Sequence, residues 1–451
     1  MNPSGERSLD PAAVSAAHLL AGKIAGNAGY FVGVLLLART LGPAGRGEIA
    51  FLLVLSLVLA RVTAVGAVEA TTVFAAQRPE RRAAQLSTVT GFAAAGAAAG
   101  SFVTGGILFL LDVGGAAAIS PSEYIVLVAA TVAVAVGDAG FGYLLGCGRI
   151  REQALITAVT PWAYALLLTA LWAVGTVSVV LAALAWAIAH LVRASWVLRR
   201  SAEIAGLARP SVRLLRESLA FGIRAWTGTL ARFLNFRADQ VLMGFIATES
   251  TLGVYAVAVN ASEVLLYLPS TTALALLPVV SRSDPGARTE LVLRGFRSAA
   301  LITLAGMILA LLLGPTLLPV IFGAEFDASV MPFLLLLPGA LGFVAMAVFS
   351  SGLAASALPG RSSLGPVVSL VLGLTTALLL IPEYGASGAA AASGIAFLAG
   401  GAVSAALYRR SAPFDWSLLV LPRRGDLDVL LALARPLRSA QAAVFHRDTA
   451  A

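Results

Sequence analysis

The chain has 451 residues, of which 59% are hydrophobic and 12% are charged, and its mean hydropathy is +0.90. Soluble globular chains are about a quarter charged, so this composition excludes an ordinary soluble domain and indicates a polytopic membrane protein. The formal net charge is +8, but the basic residues occur in short loops rather than in a stripe interleaved with aromatic residues. Nucleic acid is therefore not expected as a partner.

Apolar stretches of about 20 residues, the length that crosses a bilayer as a helix, recur along the chain. They lack the period-two alternation of a membrane β-barrel. We predict an all-α polytopic membrane protein with about twelve transmembrane helices. The predicted spans are 17–39, 49–76, 85–111, 124–147, 153–173, 176–198, 217–246, 252–280, 297–322, 330–357, 363–381 and 386–408. The first is longer than a signal-peptide core, so we expect it to be retained.

The basic residues predict the orientation of these spans. Thirty of the thirty-one are arginines, and Lys23 is the single lysine. Short cytoplasmic loops carry the basic excess of membrane proteins. With a cytoplasmic N-terminus, 24 basic residues lie on the cytoplasmic side, whereas only Arg39 and Arg46 lie outside. We therefore predict an even number of spans and two cytoplasmic termini.

The chain divides into two similar halves at its longest cytoplasmic connection, 199–216. We predict an N-terminal lobe at 1–205, a C-terminal lobe at 206–408 and a basic cytoplasmic tail at 409–451. Two outer turns are alike, LGPAGRGEIA at 41–50 and TLGVYA at 251–256. Two halves of equal orientation imply a parallel repeat, as in many transporters. In the tail, the apolar stretch 427–433 is too short to span and predicts an interfacial helix.

Signals of catalysis are weak. The three histidines are far apart, and Cys147 is the only cysteine, so neither a metal motif nor an intrachain disulfide is indicated. The single lysine does not lie in a phosphate-binding loop of the GxxxxGK[ST] type, and the outer loops are short. We expect a transporter rather than an enzyme, with no cofactor and no metal site.

Five basic residues lie deep inside predicted spans, whereas Arg39, Arg193 and Arg297 lie at or near span ends and are counted with the loops. Each would cost roughly 2.5 to 3.5 kcal/mol if it faced lipid at the centre of a helix, so each must snorkel, pair with an acid or line a water-filled cavity. The five are Lys23, Arg61, Arg224, Arg232 and Arg237.

Predicted helix seven carries a polar face that covers about 80° of arc at 100° per residue. Its members are Arg224, Gly228, Arg232, Asn235 and Asp239. For the arginines on this face, a structural ion pair is the alternative to lining a cavity. Arg237 lies off the face, and we expect it to pair with an acid or to reach the outer interface.

Other predicted helices also carry polar residues. Helix one places Lys23, Asn27 and Tyr30 at i, i+4 and i+7, although Lys23 could instead snorkel to the cytoplasmic edge. Helix eight has Glu263 and Tyr267 on one face. The intramembrane acids are candidates either for proton or sodium coupling or for structural hydrogen bonds. They are Asp138, Glu69, Asp239 and Glu263.

Several runs of sequence resemble the polysaccharide transporter family of oligosaccharide flippases, in the multidrug/oligosaccharidyl-lipid/polysaccharide exporter superfamily. They are LARTLGP at 37–43, RADQVLMG at 237–244, GVY at 253–255 and LPVVS at 277–281. The resemblance implies two six-helix lobes around a central cavity in the bacterial cytoplasmic (inner) membrane. It also implies alternating-access transfer of undecaprenyl-pyrophosphate-linked oligosaccharide to the outer leaflet. In the related lipid II flippases, the lateral opening lies between helices one and eight.

A pyrophosphate headgroup suits this set of cations, because guanidinium groups bind it through paired charge-assisted hydrogen bonds. The candidate substrate-binding residues are Arg224, Arg232, Arg61, Lys23, Asn27, Asn235 and Tyr267. Expected partners are the lipid-linked sugar pyrophosphate, membrane lipid and glycan polymerase machinery, with the protein itself a monomer. Two alternatives remain open: a cation-coupled multidrug exporter, which would present acids to its cavity, and a non-transporting scaffold of cell-envelope assembly.

Overall fold

The computed structural model describes residues 11–110, 118–206 and 208–420, and within these ranges it contains helices and no strand. The fold is all-α, as predicted. The helices are α1 (Pro11–Thr63), α2 (Ala67–Gln77), α3 (Arg82–Leu110), α4 (Pro121–Gly146), α5 (Ile150–Ala173), α6 (Val179–Ala205), α7 (Val212–Leu234), α8 (Ala238–Ile246), α9 (Glu249–Glu263), α10 (Tyr267–Arg282), α11 (Pro285–Phe322), α12 (Val330–Ala355), α13 (Pro359–Ser411) and α14 (Ser417–Val420).

The helices of the described ranges account for twelve membrane crossings. Eight helical segments there are long and apolar enough to span a membrane. Two of them contain two crossings each, because α1 and α13 reverse at Gly42 and Gly385, whose φ angles are 64° and 53°. Both glycines adopt a left-handed backbone that other residues enter at a cost. The remaining crossings, spans seven and eight, are each assembled from two shorter helices, α7 with α8 and α9 with α10.

Span seven is not the continuous helix that its polar face requires. Helix α7 ends at Leu234, and α8 begins only at Ala238. The predicted alignment of Arg224 with Asp239 is therefore wrong, because the break changes the direction of every residue that follows it. Only the part of the face from Arg224 to Arg232 lies on one helix.

The two lobes meet at their predicted outer ends through the two similar turns. A Cβ atom on Gly47 would lie 1.8 Å from the carbonyl oxygen of Glu249, and one on Gly253 would lie 1.9 Å from that of Pro43. These distances leave no room for a side chain, so the backbones of α1 and α9 touch, as small residues allow between membrane helices. Arg39 adds a 2.8 Å hydrogen bond from Nε to the carbonyl of Ile321 on α11. This end of the interface is therefore closed.

The other end of the same interface is held by polar contacts between the α2–α3 region and α7. Arg78 Nη1 donates to Glu217 at 2.7 Å, and Gln85 donates to Ser218 at 2.9 Å. Between the two ends, Gly66 has a φ of 79°, and a Cβ there would lie 2.3 Å from the backbone carbon of Gly222. The glycine therefore serves both the break between α1 and α2 and the close approach of α7.

Large apolar side chains point away from the protein along the outside of both lobes. Phe109 on α3, Leu312 on α11 and Leu379 on α13 are 86%, 69% and 70% exposed. A surface of this kind is stable in lipid rather than in water. The basic tail is described only to Val420, so its predicted interfacial helix at 427–433 lies outside the described residues.

Labelling of Cys147 tests the predicted orientation. This single cysteine follows the last turn of α4, at the predicted cytoplasmic end. We expect a membrane-impermeant maleimide to leave it unmodified in intact cells and to modify it in inverted membrane vesicles. A Cys147→Ala, Thr176→Cys variant is the control, because exposed Thr176 connects α5 to α6 on the predicted outer side. Labelling of Cys147 in intact cells would contradict the predicted orientation.

Candidate functional site

A mostly apolar cavity that contains several polar side chains lies between the lobes, where the first half of α1 faces α9 and α10. Its volume is about 260 Å³. It is lined by Leu20, Lys23, Ile24, Asn27, Tyr30, Phe31, Val34, Asn260, Glu263, Val264, Tyr267 and Thr271. We call it the interlobe cavity. Spans one and eight therefore form its walls, and four of the predicted site residues come together here: Lys23, Asn27, Tyr267 and Glu263.

Lys23 is the cation of the interlobe cavity. Its side chain is exposed, and Asn27 lies one helical turn further along the same wall. In the part of the chain that the structure describes, Lys23 forms no ion pair with a carboxylate. A lysine is a compact point charge with three donors. The cavity therefore offers one uncompensated positive charge beside amide and phenol groups.

Glu263 faces the same cavity, but its charge is balanced. Arg237 donates to its carboxylate at 2.5 Å, and the two side chains are only 20% and 13% exposed. Arg237 thus pairs with an acid, which is the first of its two predicted alternatives. This pair joins the start of α8 to the end of α9, and it leaves Lys23 as the net charge of the cavity.

Asp138 is also paired, and it holds two arginines at once. Arg193 Nη2 on α6 lies 2.7 Å from one carboxylate oxygen, and Arg61 Nη2 on α1 lies 3.3 Å from the other. The guanidinium of Arg61 also lies 5.8 Å from the ring of Phe233 on α7. Asp138 therefore ties three helices of the N-terminal lobe together, and Arg61 extends the contact to the C-terminal lobe.

Arg193 was missed as an intramembrane residue, because its position near the end of predicted span six favoured a cytoplasmic location. Helix α6 continues to Ala205, and the Arg193 side chain is 12% exposed. The signal in the sequence was the helical spacing of Trp186, His190 and Arg193, which places them on one face. That face meets Asp138 only once α4 and α6 pack together.

Glu69 also bridges the lobes. Its carboxylate accepts a 2.8 Å hydrogen bond from Thr229 on α7. Trp226, one turn earlier on α7, donates from Nε1 to the backbone carbonyl of Arg61 at 3.0 Å. The two contacts fix α7 against the broken second span, which gives Glu69 a structural partner.

Arg224 and Arg232 do not join the interlobe cavity. Both are exposed on α7, and neither forms an ion pair within the described ranges. Asn235 is occupied in the backbone of the break, where its amide donates at 2.8 Å to the carbonyls of Ala231 and Pro366. The structure therefore separates these three predicted substrate ligands from Lys23.

Asp239 lies in the C-terminal lobe, in a separate small cavity between α8 and α13. Its carboxylate accepts hydrogen bonds from the backbone of Gln240 at 2.7 Å, from Ser393 at 3.1 Å and from the Tyr255 hydroxyl. No cluster of three or more histidine, cysteine or acidic residues suited to a metal ion occurs in the described part of the chain.

Known structures share this architecture. The lipid II flippase MurJ in an inward closed conformation matches with a TM-score of 0.71 and 12% identity, over 95% of this chain and 99% of that chain. An inward-facing multidrug resistance MATE family transporter of the MOP superfamily matches with a TM-score of 0.68 and 14% identity, over 88% and 96%. A ligand complex of the MATE multidrug transporter DinF-BH gives 0.64 and 16%, over 92% and 98%. At these identities the likeness is one of fold.

The chain is thus a multi-pass membrane protein with two six-helix lobes around a central cavity. Residues 36–331 match the family model described as "Polysaccharide biosynthesis protein", and the chain belongs to that family. The resemblance to the polysaccharide transporter family is confirmed. No curated protein matches the chain in sequence.

Substituting Asp138 tests the charge network of the N-terminal lobe. We expect Asp138→Asn to lower the free energy of unfolding by about 3 to 5 kcal/mol, because two intramembrane guanidinium groups lose their counter-charge. Thermal unfolding in detergent measures the effect. Glu203→Gln is the control, because Glu203 pairs with Arg200 on an exposed surface, where ion pairs contribute little. Equal melting temperatures for both variants would contradict the assignment.

Proposed function

We propose that the protein is a flippase that moves an undecaprenyl-pyrophosphate-linked oligosaccharide from the cytoplasmic to the outer leaflet by alternating access. The supporting observation is the uncompensated charge of Lys23, beside amide and phenol groups, in a cavity between the lobes. Family membership, with a model described as "Polysaccharide biosynthesis protein", supports a glycan substrate. The fold shared with MurJ supports a lipid-linked one.

The interlobe cavity has the chemistry that an amphipathic substrate needs. Lys23, Asn27 and Asn260 supply polar groups for a pyrophosphate and the sugar attached to it. Ile24 and Val264 line the same cavity, and each is 56% exposed. An apolar edge of this kind allows a polyprenyl chain to stay in lipid while its headgroup enters. The headgroup is therefore bound without moving the whole lipid into the protein.

Both ends of the interface are in contact in this structure, so cytoplasmic entry to this cavity would require the Arg78–Glu217 and Gln85–Ser218 contacts to open. Under alternating access, the Gly47 and Gly253 contacts would separate as the lobes rock. The protein would act in the bacterial inner membrane, with both termini cytoplasmic, as a monomeric transporter rather than an enzyme. A glycan polymerase is the expected functional partner, because a glycan delivered to the outer leaflet is the substrate of polymerisation there.

Neutralising Lys23 tests headgroup binding. Purified protein in nanodiscs is titrated with undecaprenyl pyrophosphate. We expect Lys23→Gln to weaken binding at least about tenfold, because a charge-assisted contact is lost, and Lys23→Arg to retain most of the affinity. Arg294→Gln is the matched control, because Arg294 is an exposed cation that pairs with Glu290.

The same preparation separates this function from drug export. The structures that share this fold include multidrug transporters, so the cationic dye ethidium is titrated in parallel. Unchanged lipid affinity in Lys23→Gln would refute the headgroup assignment. Binding of ethidium that depends on Glu263, without lipid binding, would favour a multidrug exporter. If neither ligand binds, the result would favour a scaffold.

Asp239 is our proposed site of coupling to protons or sodium ions. Its carboxylate is surrounded by hydrogen-bond donors, and no ion pair to it is formed within the described residues. We expect Asp239→Asn to abolish acceleration of lipid transfer by a proton or sodium gradient in proteoliposomes, while undecaprenyl pyrophosphate binding persists. Thr375→Ala, at an exposed position on α13, is the control. Gradient-dependent transfer in Asp239→Asn would exclude this site.

A further inference from the structure

Arg39 joins α1 of the N-terminal lobe to the end of α11 in the C-terminal lobe. Its Nε donates to the carbonyl of Ile321 at 2.8 Å, and its Nη2 donates to the carbonyl of Val320. Both carbonyls belong to the last turn of α11, which ends at Phe322. At the predicted outer end of the interface, one guanidinium group therefore makes two hydrogen bonds to a helix terminus.

The end of α11 is a suitable acceptor for a cation. The last four carbonyl groups of a helix have no partner within the helix, and they carry the negative end of its dipole. A guanidinium group presents its donors in a fixed planar fork, which can reach two neighbouring carbonyls at once. Within the described residues, Arg39 forms no ion pair with a carboxylate. The helix end is therefore the partner that fixes its position.

The exposure of this contact allows it to open and close. Arg39 is exposed, and Val320 is 63% exposed. Water can therefore replace each partner as the two separate, and exposed charged contacts contribute little free energy. The pair of Arg193 with Asp138 is different, because its side chains are only 12% and 16% exposed. Arg39 is thus suited to hold a movable contact rather than to stabilise one lobe.

The same turn of α11 also meets a wall of the interlobe cavity. The ring of Phe322 lies edge-to-face with the ring of Phe31, with 5.9 Å between centroids. Phe31 lines the cavity and is 39% exposed, whereas Phe322 is 2% exposed. Movement of the Phe31 ring therefore acts on the residue that directly follows the two carbonyls bound by Arg39.

The first half of α1 connects the cavity to this contact. It is helical up to its reversal at Gly42, and it carries Lys23, Phe31 and Arg39 in that order. A headgroup beside Lys23 therefore acts on the same helix that holds the end of α11. Cavity wall, aromatic pair and helix end form a contiguous set of contacts, which is the kind of network that carries coupling between sites.

We propose that Arg39 and the last turn of α11 form an outer latch that responds to the interlobe cavity. While the cavity is empty, Phe31 packs on Phe322 and keeps the carbonyls of α11 within reach of Arg39. A bound headgroup displaces the Phe31 ring, the end of α11 moves with Phe322, and Arg39 is released. The inference rests on the proposed flippase function, and it adds the element through which the substrate opens the outer side.

A distance between the lobes measures opening of the outer end. Full-length protein with Cys147→Ala is spin-labelled at Thr176→Cys and Glu383→Cys, which are exposed positions at predicted outer turns of the two lobes. Double electron–electron resonance in nanodiscs gives the populations of short and long distances. We expect undecaprenyl pyrophosphate to increase the long-distance population.

Substituting Arg39 tests the latch itself. At the lipid concentration that gives equal populations in the wild type, Arg39→Gln should raise the ratio of long to short distances about threefold, as expected for loss of an exposed charged contact. Arg39→Lys should lie between the two, because it keeps the charge without the planar fork. Arg151→Gln is the matched control, because Arg151 is an exposed cation on α5. An Arg39→Gln ratio equal to that of the wild type would overturn the latch.

Substituting Phe322 tests the coupling to the cavity. Phe322 is not among the residues that line the cavity, so Phe322→Leu should bind undecaprenyl pyrophosphate but should lose the increase in long distances. Phe326→Leu is the matched control, because Phe326 is a similarly buried phenylalanine, 1% exposed, just after α11. It should keep the response, which separates coupling from the loss of a buried ring. If Phe322→Leu folds poorly, Arg39→Gln at its exposed position still tests the latch.

The outcomes distinguish this inference from the proposed function. If the wild type binds undecaprenyl pyrophosphate and its distances do not change, the latch is overturned while headgroup binding stands. If the lipid opens Phe322→Leu as it opens the wild type, the coupling is overturned as well. If the wild type does not bind the lipid, the proposed function fails, and the inference fails with it.

Discussion

The cost of placing charge in hydrocarbon governs this structure more than any single contact does. A basic residue at membrane depth needs water or an opposite charge. Asp138 balances Arg193 and Arg61, and Glu263 balances Arg237. These pairs join different helices, so the same contacts that neutralise the charges also fix the helices relative to one another.

Lys23, Arg224 and Arg232 form no ion pair within the described residues, and of these three Lys23 is the one that lines the interlobe cavity. Lys23 keeps its charge in the interlobe cavity, where it is exposed beside amide and phenol groups. The sequence does not show that Arg237 is paired and Lys23 is not, because both are cations inside predicted spans with the same expected cost of facing lipid. The distinction comes from the position of the acids. Glu263 faces the same cavity as Lys23, yet its carboxylate is bonded to Arg237.

The backbone has an equally direct role in the contact between lobes. Glycines at 47, 66, 222 and 253 allow carbonyl groups of one lobe to touch the backbone of the other. Such contacts depend on close approach rather than on apolar burial, which gives little advantage inside a lipid bilayer. They leave the polar groups of the cavities in place on both sides of the interface.

The sequence by itself determined the membrane character, the twelve spans and the family, because these follow from run length, charge and local motifs. It also selected Lys23, Asn27 and Tyr267, which share a cavity. It failed where a helix breaks or two helices meet. The helix breaks after Leu234, so Asp239 does not lie on the same helical face as Arg224. Arg193 contacts Asp138 only because α4 and α6 pack together. Helical periodicity reports directions within one unbroken helix, whereas pairing between helices depends on distances that only the tertiary structure decides.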